Sequence, residues 1–329
     1  MTTGSRTRVA GVVATLLLLS ACTGSAGTIS PGAPRSEQST PPASDPEAAT
    51  PSRSAVAGAG LVVLADGVQG GVGLWTLDPQ AGFTATASLP QATSIAATNG
   101  GIAVLNGPAV ETRKGDLATA ATTVSLKWPG GAASTDVAAL GLSPAGRIGL
   151  VVGADGAYSY ATAGSDGQVT GLPSVSQQPF TPLIGWLDEQ RMVVLATDVQ
   201  QVSRVAVGAD PASAQPLTQL IGCRWVAVSA DGGTIAAATG SALYVGTSAD
   251  WLAGKQPAEL ARVDEGSVVW DLALDGTGSR LAYLTGVVGA DGTVSTIREL
   301  IFTISSGSWQ KTADVAVPFN KIRGQAWLG

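Results

Sequence analysis

Few residues in this 329-residue chain are of a type and spacing that could do chemistry. Four tryptophans, Trp186, Trp225, Trp270 and Trp327, could together form an aromatic surface for a sugar or other flat ligand. Asp-Gly pairs begin at Asp66, Asp155, Asp166, Asp231, Asp275 and Asp291. A calcium loop needs several oxygens from one compact segment, as in alternating Asp-x-Asp, and no such alternation occurs. These pairs are therefore expected to form turns, where Asp caps its own backbone and Gly accepts positive φ. Histidine is absent altogether. That excludes Ser-His-Asp and Cys-His catalysis, His-ligated zinc and His-based pH sensing. No catalytic set, metal site or cofactor site is expected, and the chain reads as a non-enzyme.

Two cysteines are present, Cys22 and Cys223. Ahead of Cys22 stand Arg6 and Arg8, an apolar run Val9–Leu19 and small residues, the order of a secretory signal peptide over residues 1–21. The run is too short to remain as a membrane span. The sequence Leu19-Ser20-Ala21-Cys22 resembles the lipobox of bacterial lipoproteins. The resemblance implies lipidation of the Cys22 thiol and cleavage just before it. Two or more acyl chains would then hold the protein stably on the outer face of the cell membrane. Cys223 would be left without a disulfide partner and is expected in the core.

Residues 22–57 are rich in Ser, Thr, Pro, Gly and Ala and nearly lack large apolar side chains. Such a segment cannot bury enough surface to fold. It is expected to be a tether with a reach of roughly 30–35 Å. Net charge is −6, and removing Arg6 and Arg8 makes the mature chain more acidic still. An acidic chain without a basic stripe excludes nucleic acid as partner, and makes the lipid the only membrane attachment.

The rest, residues 58–329, repeats. Val137–Val152, Trp225–Ala238 and Leu272–Leu284 each read as apolar strand, small polar turn, apolar strand, and Leu183–Leu195 is a looser copy. The first apolar residue after each turn sets a register: Val62, Ile102, Ile148, Met192, Ile235 and Leu281, spaced by 40, 46, 44, 43 and 46 residues. A period in the forties with about four short strands is the pattern of a β-propeller blade. The first folded segment, Leu61–Ala65, lacks a preceding strand, and the last, Ile322–Leu328, lacks a following one. Together they complete one blade. This predicts an all-β, six-bladed propeller closed by its termini, with seven blades as the alternative count because Pro108–Trp128 is irregular.

The Ser-x-Asp-Gly turn resembles the repeats of TolB-like and WD40-like propellers, including the propeller part of LpqB-type actinobacterial lipoproteins. The resemblance covers about residues 60–329 and implies the fold. LpqB-type proteins carry a further domain for which residues 22–57 leave no room, so their role beside a sensor kinase is not implied. Ser229-x-Asp231-x-Gly233-Thr234 also approaches the Asp box of sialidases, but a spacer and the following Trp are missing and the arginines are scattered.

On this fold the four tryptophans fall on inner strands. Trp225 lies four residues before Ser229, and Trp270 lies five before the equivalent Asp275, so strand alternation turns them to opposite faces. They are expected to fill the wedges between blades. Asp271 is the one clear acid on an inner strand, with Asp188 at a strand end. Arg224, Asp264, Glu265 and Arg323 are expected at one mouth of the channel as candidate binding residues. Thr285–Ile297 is expected as an elongated hairpin on that side. The function this supports is a binding or scaffold module for a cell-envelope protein. The alternatives are an enzyme acting on an envelope sugar or lactone, and a solute-binding lipoprotein.

Overall fold

The computed structural model describes residues 60–68, 70–129, 137–154, 157–171, 184–195, 203–207, 215–216, 225–289, 294–319 and 321–328. The signal peptide, the linker, Cys22, Cys223, Arg224, Asp155 and Asp291 lie outside the described residues.

Short apolar runs punctuated by Gly-containing turns form antiparallel strands in sequence order. The chain begins with β1 (Leu61–Val68), β2 (Gly71–Asp78) and β3 (Gly82–Ser88). The second blade is β4 (Ala92–Thr98), β5 (Gly101–Asn106), β6 (Ala109–Arg113) and β7 (Thr122–Ser125). The third is β8 (Val137–Leu142), β9 (Ile148–Ala154), β10 (Ala157–Ala163) and β11 (Val169–Gly171). The fourth is β12 (Ile184–Trp186), β13 (Arg191–Leu195), β14 (Ser203–Val207) and β15 (Gln215–Pro216). The fifth is β16 (Trp225–Val228), β17 (Thr234–Ala238), β18 (Ala242–Thr247) and β19 (Ala258–Arg262), with a one-turn helix α1 (Ser248–Leu252) before β19. The sixth is β20 (Ser267–Leu274), β21 (Arg280–Val288), β22 (Val294–Ser305) and β23 (Ser308–Ala316). The last strand, β24 (Ile322–Trp327), pairs antiparallel with β1 and completes the first blade. The result is six four-stranded sheets, a β-propeller. The irregular stretch near Pro108–Trp128 supplies the two outer strands of the second blade, so the described residues form six blades and no seventh is found among them.

Each of the six register residues sits on the second strand of its blade, and all are at most 2 % exposed. Buried apolar residues gather in clusters between adjacent blades. Val62 and Leu74 meet Ile95 and Ile102 between the first two, and Ala273, Ala282 and Ile301 meet Leu61, Val63 and Trp327 between the sixth and the first. The core is thus a ring of wedges rather than one centre. Helix α1, which the sequence pattern did not suggest, is capped by the Thr247 hydroxyl accepting from the Asp250 N–H. It seats Trp251, 1 % exposed, between the fourth and fifth blades.

The turns between first and second strands lock one blade to the next. Ser143 Oγ donates to Glu189 Oε2 at 2.8 Å, across to the fourth blade. The Asp231 N–H donates to the Gly276 carbonyl at 3.1 Å, across to the sixth. Within its turn, Asp231 accepts from the Ser229 hydroxyl and the Gly233 N–H, so its carboxylate is engaged in turn formation, as expected. Gly232 has φ +74°, and a Cβ there would stand 1.9 Å from the Leu187 carbonyl oxygen. Both the conformation and the approach require glycine. Gly232→Ala is therefore expected to cost about 2 kcal/mol or more in urea unfolding. Gly240→Ala, at a position with ordinary φ and nothing within 4 Å of the added carbon, should stay within about 0.5 kcal/mol.

Candidate functional site

The blades enclose a central cavity of about 690 Å³. Its wall comes chiefly from inner strands and is mostly small and apolar: Ile95, Ala139, Leu140, Gly185, Val226 and Leu272 are examples. Charge is sparse, with Asp66, Lys321, Arg323 and Asp271 in the lining.

Four inner strands carry a β-bulge near their first residues. The unpaired residues are Thr93, Ala138, Trp270 and Arg323, and all four are exposed. A bulge adds one residue to one strand of a pair and re-aims its side chain. Here it turns side chains that alternation would have buried out toward one mouth. Trp270 shows the effect most clearly, at 39 % exposure. The expectation that all four tryptophans pack in the core is thus corrected. Trp186 and Trp327 are buried, Trp225 is half-buried, and Trp270 is an exposed indole on the cavity wall.

The charged candidates divide. Arg323 lines the cavity, but its guanidinium is engaged: it donates to Asp66 Oδ1 at 3.1 Å and to the Ala92 carbonyl at 3.3 Å, tying the first blade to the second. Asp264 and Glu265 are exposed on the loop entering β20, outside the cavity lining, and make no ion pair among the described residues. Beside them β21 and β22 extend past the mouth, with Val287 and Val288 exposed and Ile297 on the cavity wall. The elongated hairpin is present as expected, and its tip, residues 290–293, is outside the described residues. Asp188 is not in the lining; it accepts from the N–H groups of Gln190 and Arg191 and from the Arg191 guanidinium, a turn role.

Asp271 stands differently. It lines the cavity, half-buried, and its Oδ1 accepts from the Leu272 N–H at 2.8 Å. The Gln325 backbone N–H also holds it. Burial pushes its carboxyl up to about 7. Across the sheet, Asp271 pairs with Leu284 and Leu284 with Glu299, so the two acids share one face of the sixth blade. Glu299 is fully buried, and no cation reaches it among the described residues. The Gln325 amide, from β24, lies against both of its oxygens, and with the amide nitrogen turned toward them it donates to both at 3.0 and 3.1 Å. Burial, and then the charge of Asp271, raise Glu299 well above the usual carboxylate range. Asp275 is the contrast: burial would raise it, but Arg280 and the N–H groups of Arg280 and Ser279 outweigh that and hold it below the usual range. Glu299 was missed in the sequence because nothing local marks it.

Among the described residues no group of three or more acids or cysteines could hold a metal ion, and no helix is long and apolar enough to cross a membrane. No protein-family profile and no curated protein sequence matches the chain. Solved structures do. TolB from Acinetobacter baumannii superposes with a TM-score of 0.53 at 16 % identity, over 82 % of this chain and 66 % of that one. A putative TolB from Agrobacterium tumefaciens gives 0.47 at 11 % identity, over 81 % and 92 % of the two chains. A periplasmic gluconolactonase from Pseudomonas aeruginosa gives 0.44 at 13 % identity, over 82 % and 99 %. The likeness to TolB shows the fold, an all-β propeller.

The acid pair generates a pH dependence of definite sign. A carboxyl whose folded value is raised adds stability below its unfolded value, and that contribution is lost as pH rises through the folded value. For Asp271 the loss falls between about pH 4 and about 7; Glu299 loses its contribution on the same side. Glu299→Gln keeps the shape and removes the titration. Thermal unfolding should show this variant closest to the parent near pH 4, and more stable at pH 9 by on the order of 1 kcal/mol or more.

Proposed function

We propose that this protein is a membrane-anchored, extracytoplasmic lipoprotein of the LpqB-like kind, lipidated on Cys22. Its propeller is a binding module for a cell-envelope protein, which docks at the mouth framed by Trp270, Arg323 and the β21–β22 hairpin. The observation that carries this reading is the row of bulges: they present exposed side chains around an open cavity instead of packing them. Asp264 and Glu265, which make no ion pair among the described residues, and the exposed Val287 and Val288 extend the same surface. The lipobox and the tether of residues 22–57 support the address.

A second reading, an enzyme acting on an envelope sugar or lactone, has one observation in its favour, the Asp271 carboxyl titrating near 7 beside a second acid. Against it, Glu299 is fully enclosed behind Gln325 and does not line the cavity, so only one of the two acids can meet a ligand. Hydrolysis of a sugar lactone that disappears in Asp271→Asn would favour that reading over binding.

The binding reading is tested by mild crosslinking in cells, purification of the lipidated chain and mass spectrometry. One envelope protein should co-purify near stoichiometrically, and Trp270→Ala should reduce it at least several-fold. Cys22→Ala should move the chain out of the membrane fraction. Capture that is unchanged by Trp270→Ala and by shortening the hairpin would contradict docking at this mouth.

A further inference from the structure

The charges around the cavity are uneven in what they still have to bond. Asp66 and Arg323 neutralise each other, with 3.0 Å between Arg323 Nη2 and Asp66 Oδ1. Lys321 is exposed at the rim. Asp271 is half-buried, its known partners are backbone N–H groups, and no ammonium or guanidinium of the described residues pairs with it. Around it the wall is alanine, leucine, valine and glycine with three indoles, so few polar groups compete and the local dielectric is low. A carboxylate in such a wall interacts far more strongly with a positive charge than one in water. With Asp66 and Arg323 neutralising each other, an anionic ligand would meet the Asp271 carboxylate in the wall and find Lys321 alone, exposed at the rim, as its counter-charge. A neutral ligand would leave the carboxylate as it is.

We propose that the cavity binds a compact organic cation, a primary ammonium group on an otherwise apolar body, with the ammonium against Asp271 and the apolar part along the indole-containing wall. Trp270, exposed beside Asp271 in sequence and on the same wall, supplies an aromatic face of the kind that favours cations. This deepens the binding reading by naming the chemistry the channel recognises. The group can belong to a small amine solute or to a lysine of the envelope partner.

The ligation has a proton signature. The cation binds the ionised carboxylate, whereas Asp271 free of ligand is partly protonated near neutrality because burial raises it to about 7. Binding therefore expels a proton, about one per ligand at pH 6 and close to none at pH 8. Affinity rises as pH increases toward about 7 and then levels.

The probes are phenethylamine, its neutral analogue 2-phenylethanol and its anionic analogue phenylacetate. Each is titrated calorimetrically into the full lipidated chain in detergent, in two buffers of different ionisation enthalpy. Phenethylamine should bind at least about tenfold more tightly than either analogue, with the proton release just described. Asp271→Asn, which preserves the shape and the acceptor for the Leu272 N–H, should remove both the preference and the proton release. Equal affinity for phenethylamine and 2-phenylethanol in the parent chain, or proton release that persists in Asp271→Asn, overturns the proposal whatever the variant's stability. Excess phenethylamine added to the crosslinking experiment separates the sources. Displacement of the captured protein assigns the ammonium to that protein, and binding without displacement assigns it to a solute. Failure to capture any protein, with amine selectivity intact, would sink the envelope-partner reading and leave this inference standing.

Discussion

A ring of sheets stands only if it closes, because each blade buries its faces solely against its neighbours and an unclosed ring would expose a whole wedge of apolar surface at its gap. Here closure is non-covalent. With Cys22 and Cys223 the only cysteines, the work falls to the pairing of β24 with β1, Leu61 opposite Trp327 through Ala65 opposite Ile322. The seam is reinforced from the sixth blade. Trp327 Nε1 donates to the Ala273 carbonyl at 3.1 Å, and the Arg280 guanidinium lies 4.3 Å from the centre of the Trp327 ring. A buried aromatic with a satisfied N–H and a cation over its face is a strong clamp for a terminal strand that would otherwise fray.

The same seam carries the polar groups that give the channel its character. Gln325, one strand position from Ala326 and Gly324, reaches Glu299 with its side chain and Asp271 with its backbone. Gly324 is needed where β24 passes close to the second blade, since a Cβ there would lie 3.1 Å from Ile95 and 3.9 Å from the Asp271 carboxylate. Closure of the ring and the chemistry of the cavity are therefore held by adjacent residues of one strand. Glu299, enclosed on that face, is raised by burial and then by the charge of Asp271. Asp271 sits on the same face with no cation of the described residues paired to it.

Much of the fold was legible because it is written in turn chemistry and repeated. The register residues Ile148, Ile235 and Leu281 follow turns whose Ser or Asp caps the backbone and whose Gly takes positive φ, at Ser143 and Gly146, Ser229 and Gly232, and Asp275 and Gly278, and the copies reinforce one another. The closing strand was legible from the missing halves at the two ends. The site was far less so. Strand alternation predicts which face a residue occupies only while the pairing is regular, and one bulge reverses it. That is why Trp270 was expected in the core and is found at the mouth. Glu299 lies in Ile297-Arg298-Glu299-Leu300, which reads as an ordinary strand with solvated charges. Only the register with Leu284 and the approach of β24, far away in sequence, make it an enclosed acid.

The central claim is that the last strand is an integral part of the first blade and holds both the ring and the channel-facing acid in place. Native-state hydrogen exchange resolved to peptides tests this most directly. If β24 clamps the ring, the amides of Ile322–Trp327 and Leu61–Ala65 should exchange together, at the slow rates of buried strands such as β17. Fast exchange of Ile322–Trp327, like that of a frayed terminus, with Leu61–Ala65 still protected, would contradict closure by this pairing.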